Sequence, residues 1–386
     1  MGTYCARDAR TNRKKFFMRV LLVEHKTVWG GGQVALWNVL GEWQRTRAPL
    51  EPVLVCPPDA ELAPRVRALG IETVTFGLGA IEKTRSVAWN FAQRVEPTTR
   101  LLRVMQDVRA EVVLANCAYS FLAGVFAAKL SRTPIVWLEQ TTTLPSGNLL
   151  RRMMSWADRI VAVSEAIRTQ FVALAPNAQQ KMTVIYNGVD TERFALRRAA
   201  QETRRALGLA QDARVVGTVS RLSPEKGIEF FIAAANALAR DAIDVRFLIV
   251  GDGPERARLE KIAKGAVIFL GQRDEIPELL HAMDVFVLPS LAEGFGMAAA
   301  EAMACGLPVI ASDVGGLREI VAPNETGILV PPREANALAN AILELLHDEN
   351  KRRAFGERGR ARVEQNFTLA HQAQQLQIVL EGARKK

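Results

Sequence analysis

Residues 293–301 read EGFGMAAAE, an acid, a Gly-Phe-Gly bend, a run of helix-forming residues and a second acid eight places on. On one continuous helix the two carboxylates would be separated by two turns, ~12 Å of rise, and could not act as a close acid/base pair. The glycines suggest another geometry. Glu293 ends a loop, Gly294-Phe295-Gly296 bends, and a helix begins near Gly296 with Glu301 in its second turn. The unpaired N–H groups of that helix start lie between the acids, where the macrodipole favours an anion. The stretch reads as a phosphate seat flanked by two hydroxyl-binding carboxylates. On these nine residues alone, a buried Ala-rich helix with an acid before it remains an equal alternative.

Working outward, short runs rich in Val, Ile and Leu alternate with helical patterns. They are VLLVEH (20–25), PVLVC (52–56), ETVTF (72–76), EVVLAN (111–116), PIVWLE (134–139), RIVAVS (159–164) and TVIYNG (183–188) in the first half. RVVGTVSRL (214–222), VRFLIVG (245–251), AVIFLG (266–271), DVFVLPS (284–290), LPVIAS (307–312) and GILVP (327–331) follow in the second. Such runs predict an α/β chain with two doubly wound parallel sheets. Ligands of such sheets bind beyond the carboxyl ends of the strands, and the glycines and polar residues cluster there. The expected domains are residues 18–188 and 189–368, with a basic leader at 1–17 and a closing helix, 369–386, that could pack on either domain. NGVDTERF (187–194) is the linker.

The 386 residues suffice for two domains, each with its own core. Cys5, Cys56, Cys117 and Cys305 have neither C-x-x-C spacing nor a disulfide framework, which points to a reducing, cytoplasmic setting and away from structural zinc. Residues 1–188 carry 24 Lys and Arg against 14 Asp and Glu, a net +10 of the chain's +9, the remainder being −1. An anionic membrane surface or an acidic acceptor could use that excess, as could no partner at all. A nucleic-acid partner is not expected, for want of any such signature. Within TTTLPSGNLLRRMMSWA (141–157), Leu149, Leu150, Met153, Met154 and Trp156 beside Arg151 and Arg152 suit either a helix lying on an anionic bilayer or one facing the core.

Three constellations carry chemistry. Gly30-Gly31-Gly32 after the first strand lets backbone approach a ligand closely. In SRLSPEKG (220–227), Arg221 and Lys226 flank a proline turn, a fork and a mobile point charge suited to a diphosphate, or else a surface pair. The third is the 293–301 stretch itself.

Taken together these residues resemble the retaining glycosyltransferases of family four, which have the GT-B architecture of two Rossmann-like domains facing across a cleft. The resemblance rests on NGVDTERF, GTVSRLSPEKGIEFFIAA, FLIVGDGPERARLEKIA, VIFLGQ, PSLAEGFGMAAAEAMACGLPVIASDVGGLREIV and ETGILVPP, in that order. It implies a nucleotide-sugar donor held mainly by the second domain and a glycan or lipid-linked acceptor held by the first. Arg221 and Lys226 would hold the donor diphosphate, and the amides of Phe295, Gly296 and Met297 would seat it. Glu301 would take ribose hydroxyls, Glu293 would face the transferred sugar, and Gly31 and Gly32 would approach from the other domain. UDP-sugars are the expected donors, with GDP-sugars as the alternative.

The resemblance also implies no cofactor and no metal; the nearest thing to D-x-D is Asp190-Thr191-Glu192. It implies a cytoplasmic enzyme, peripheral on the inner face of the membrane if the basic half serves that end. The chain departs from the family in one place. Where many members carry a sugar-contacting histidine past the fifth strand, this chain has Leu138, Glu139 and Gln140. Glu139, Gln140 or His25 could replace it, or the activity is altered. A nucleotide-sugar-binding protein without turnover, a phosphorylase and an epimerase are the alternatives on the same plan.

Overall fold

The computed structural model describes residues 17–79, 87–142, 148–195, 200–240 and 245–384. The expected leader up to residue 16, Cys5, and residues 143–147 of the acceptor-side stretch lie outside these. Each of the thirteen apolar runs overlaps a strand. In the first half they are β1 (Met18–Val23), β2 (Leu50–Cys56), β3 (Glu72–Thr75), β4 (Val112–Asn116), β5 (Ile135–Glu139), β6 (Arg159–Ala162) and β7 (Met182–Val184). In the second they are β8 (Arg214–Val219), β9 (Val245–Val250), β10 (Val267–Gly271), β11 (Val285–Leu288), β12 (Val309–Ser312) and β13 (Gly327–Val330).

All paired strands are parallel, in the orders β3-β2-β1-β4-β5-β6-β7 and β10-β9-β8-β11-β12-β13. Strands covered by helices on both faces must be apolar on both, and every residue of β4 and β5 is buried. Trp137 on β5 is wedged between Phe121, stacked at 4.9 Å, and Phe171, edge-on at 5.1 Å. Each sheet reverses its winding once, between β1 and β4 and between β8 and β11. The strand ends at those two points face each other and form the site.

The closing helix, Leu369–Ala383, returns to the first domain, where Trp43 Nε1 donates to the Ala373 carbonyl at 3.0 Å. The chain crosses itself on the way. Val189 N donates to Phe367 O and Leu369 N to Val189 O, and a Cβ on Gly188 would stand 2.5 Å from the Leu369 Cα. The glycine of NGVD is therefore a requirement of that crossing.

The helix Asn148–Trp156 answers one open question. Met153 and Met154 are fully buried while Arg151 and Arg152 are exposed, so this part faces the core, and neither methionine is available to a bilayer. Among the described residues no helix is long and apolar enough to cross a membrane.

Candidate active site

The two switch points open on a cleft of about 1170 Å³. Nine of the residues singled out in the sequence line it: Gly31, Gly32, Arg221, Lys226, Glu293, Phe295, Gly296, Met297 and Glu301.

The helix predicted near Gly296 runs from Met297 to Ala304, with Gly296 as its cap at φ +110°. An L side chain there would be strained and its Cβ would stand 2.6 Å from Leu317 Cδ2. The bend is locked from behind by Gly315 and Gly316. A Cβ on Gly315 would lie 2.1 Å from the Glu293 carbonyl, and Gly316 N donates to that carbonyl at 3.1 Å. GFG and VGG thus interlock backbone to backbone. Among the described residues, the N–H groups of Phe295, Gly296, Met297 and Ala298 have no hydrogen-bond partner, so four donors stand at the helix start.

Lys226 ends a short 3-10 turn, Pro224–Lys226, and reaches across to Glu293, Nζ to Oε2 at 2.7 Å; Ser290 Oγ donates to the same oxygen at 3.1 Å. Arg221 is exposed to the cleft and its side chain has no hydrogen bond or ion pair among the described residues. An anion placed between them would meet one free fork, one ammonium and the helix start. Glu301 stands in the second helical turn, where burial pushes its carboxyl up to about 7, opposed by the charge of Arg193. Gln272 and Arg273 line the cleft beyond β10.

From the first domain, the helix Gly31–Thr46 starts at the cleft with Gly30 as its cap. A Cβ on Gly31 would come within 4.0 Å of Met297, and one on Gly32 within 3.2 Å of Gln140. Below them a polar chain runs through the domain. Glu24, fully buried, accepts from Asn116 Nδ2 at 2.6 Å and Gln33 Nε2 at 3.0 Å. Gln140 Nε2 donates to Asn116 at 3.3 Å, and Gln140 Oε1 accepts from Asn187 at 2.9 Å, which in turn accepts from Gln372 at 2.8 Å.

This arrangement narrows the three candidates for the absent histidine. Glu139 is turned inward and fully buried. It accepts from Ala118 N, Trp137 Nε1, Gln140 N, Thr141 N and Thr141 Oγ1, and so holds the end of β5 in place of touching a ligand. Gln140 and His25 line the cleft. His25 Nδ1 sits 3.0 Å from Ser120 Oγ and 3.3 Å from Cys117 Sγ, and burial, with Lys26 second, lowers its pKa to about 4. It presents a neutral imidazole.

Asp190, first residue of the nearest approach to D-x-D, accepts from Arg193 N at 3.0 Å and caps the turn Thr191–Ala195. Residues that the sequence did not single out also shape the site. Tyr119 stands over His25, ring centres 5.2 Å apart, and Trp29 lies under the Arg65 guanidinium, which pairs with Asp274 of the other domain at 3.1 Å. No local motif marks these: Tyr119 and Arg65 lie far along the chain from His25 and Trp29, and Asp274 reaches Arg65 only where the domains meet.

The model of the glycosyl transferases group 1 family matches residues 199–362, and that of glycosyltransferase family 4 matches residues 29–193. The lipopolysaccharide core biosynthesis mannosyltransferase of Rhizobium meliloti is 30% identical over 341 residues, 83% of this chain and 92% of that protein. A GDP-mannose-dependent alpha-mannosyltransferase of Mycobacterium tuberculosis is 34% identical over 272 residues, 66% of this chain and 69% of that protein. A solved structure of Anabaena HepE in complex with UDP-glucose superposes with a TM-score of 0.82 at 26% identity, covering 95% of this chain and 100% of that one.

Proposed function

The chain belongs to the group 1 glycosyl transferases and has the GT-B fold, and from that membership we propose that it moves a hexosyl unit from a nucleotide-diphosphate sugar to a glycan or lipid-linked acceptor, with retention and without a metal. The observation that carries the proposal is the convergence of four unpaired backbone N–H groups at residues 295–298 with Arg221 and Lys226, flanked by Glu293 and Glu301. Anion donors and hydroxyl acceptors alternate there in the order base-side ribose, diphosphate, sugar.

In this reading the bond from the anomeric carbon to the diphosphate breaks, and its electron pair leaves on the phosphate oxygen. Arg221, Lys226 and the helix start stabilise that charge, which is where preorganised donors are most effective. The acceptor hydroxyl bonds to the anomeric carbon on the face the diphosphate leaves, and its proton passes to the departing phosphate oxygen. Glu293, held by Lys226 and Ser290, faces the positive charge that develops on the sugar. Glu301 takes the ribose hydroxyls. UDP-sugars are the favoured donors, since HepE was solved with UDP-glucose, and GDP-sugars are the alternative named by the mycobacterial mannosyltransferase. The setting is cytoplasmic, with the basic first domain meeting an anionic membrane surface where the acceptor is lipid-linked.

The test is turnover of sugar nucleotides in excess EDTA, with the product anomer read by proton NMR. Retained configuration with an undiminished rate supports the proposal; inversion, or a rate that EDTA abolishes and a divalent cation restores, rejects it.

A further inference from the structure

Glu319 closes the segment SDVGGLRE (312–319), whose glycines lock the 293–296 bend from behind. That carboxylate leaves its own domain. Oε2 accepts from Glu165 N and Oε1 from Ala166 N, both at 2.8 Å, at the start of the first-domain helix Glu165–Leu174. Ser164 Oγ takes the next N–H, that of Ile167, at 3.2 Å. The first three amides of that helix are therefore satisfied, two of them only while the domains are together.

The same neighbourhood touches the donor loop three times. A Cβ on Gly294 would meet the Gln140 carbonyl at 2.4 Å and Ile167 Cδ1 at 3.3 Å, so loop and helix already lie in contact. Gly316, three residues before Glu319, holds the Glu293 carbonyl. Phe295 packs with Tyr186, ring centres 6.1 Å apart, and burial of the Tyr186 hydroxyl, with the charge of Glu319 second, raises its pKa to about 12.

The geometry points to Glu319 as a positioning residue: its carboxylate docks the helix Glu165–Leu174 against the 293–296 loop and so fixes the register of the first domain over the seated donor. Donor groups on the second domain do not depend on this contact, but alignment of the two halves of the cleft does. The consequence for turnover rests on the transferase reading, while the docking itself does not.

The experiment compares the full-length protein with Glu319→Ala and Glu165→Pro. The proline removes one of the two donors from the opposite domain, and tolerates the first helical position because Ser164 before it is extended. UDP affinity is read by calorimetry, domain arrangement by small-angle scattering with saturating UDP, and turnover with the best sugar nucleotide. Both variants are expected to bind UDP as the native protein does, to scatter with a larger mean radius, and to turn over roughly 10- to 100-fold more slowly. Native turnover in both, or a loss of UDP binding that parallels a lower melting temperature, would overturn the assignment. If the native protein turns over no sugar nucleotide, the transferase reading fails, and scattering alone decides the docking role: a larger radius upholds it and superimposable curves reject it.

Discussion

Lys226 and Glu293 meet as an ion pair, Nζ to Oε2 at 2.7 Å, from loops that follow two adjacent strands of the second sheet, β8 and β11. Both side chains are largely covered, 23% and 13% exposed, yet both line the cleft. In the proposed reading the pair orients the carboxylate towards the sugar and leaves the ammonium in the same cleft as the free helix start. A cation so placed is worth most when charge builds on a leaving diphosphate.

Replacing Lys226 with Ala should therefore lower kcat by about 10²- to 10³-fold, the scale for losing one preorganised donor to a developing anion. Lys226→Arg should restore only part of it, because a planar fork cannot occupy the site of a point charge. Steady-state kinetics with the preferred sugar nucleotide would check both.

Glu301 should make nucleotide binding and stability depend on pH. Burial raises its carboxyl from 4.5 to about 7, so the fold favours the neutral form. The resulting stability is full below pH 4.5 and is lost as pH rises through about 7. Glu301→Gln, always neutral, should show a smaller fall in melting temperature between pH 5 and 8. UDP affinity should strengthen over that range in the native protein, as the ionised carboxylate accepts two ribose hydroxyls, and stay flat in the variant. Paired thermal melts and titration calorimetry would measure this.

Gly294→Ala should separate donor binding from turnover. The added Cβ would lie 2.4 Å from the Gln140 carbonyl, so the two domains must move apart by about an ångström to admit it. Nucleotide affinity should hold while turnover falls about 100-fold, the cost of a misplacement on that scale. Equal loss of both would show that the loop itself had collapsed.

Glu139→Ala should damage the fold. It would leave the Ala118 amide and the Trp137 indole N–H without their acceptor in a buried place, each such orphan costing about 1–3 kcal/mol, and the half-buried Gln140 amide as well. Urea unfolding should show a loss of several kcal/mol in total, with sugar-nucleotide affinity unchanged in the fraction that remains folded.

Much of this was legible beforehand, for physical reasons. Buried parallel strands must be apolar throughout, so VVLAN, IVWLE and the others stood out against amphipathic helices. The geometry of the 293–301 stretch was legible because one short loop supplies it: Glu293, the bend and Glu301 are set by local chain geometry, as are Arg221 and Lys226 around one turn. Side-chain direction at a strand end was not. Glu139 and Gln140 are neighbours, one buried under five donors and the other lining the cleft, and only the surroundings of β5 decide which is which. The helix Asn148–Trp156 was ambiguous because a membrane face and a core face require the same residues. Glu319 escaped notice since its partners, the amides of Glu165 and Ala166, lie about 150 residues away and carry no signature of their own.

The most direct measurement is nucleotide release from UDP-, GDP- and ADP-sugars without acceptor and without metal, by the native protein, Arg221→Ala and Glu293→Ala. The account predicts slow release from one donor, lost in both variants. Release that survives both substitutions, or a native protein that neither releases nor binds any of the three nucleotides, would contradict the assignment of this cleft as a donor site.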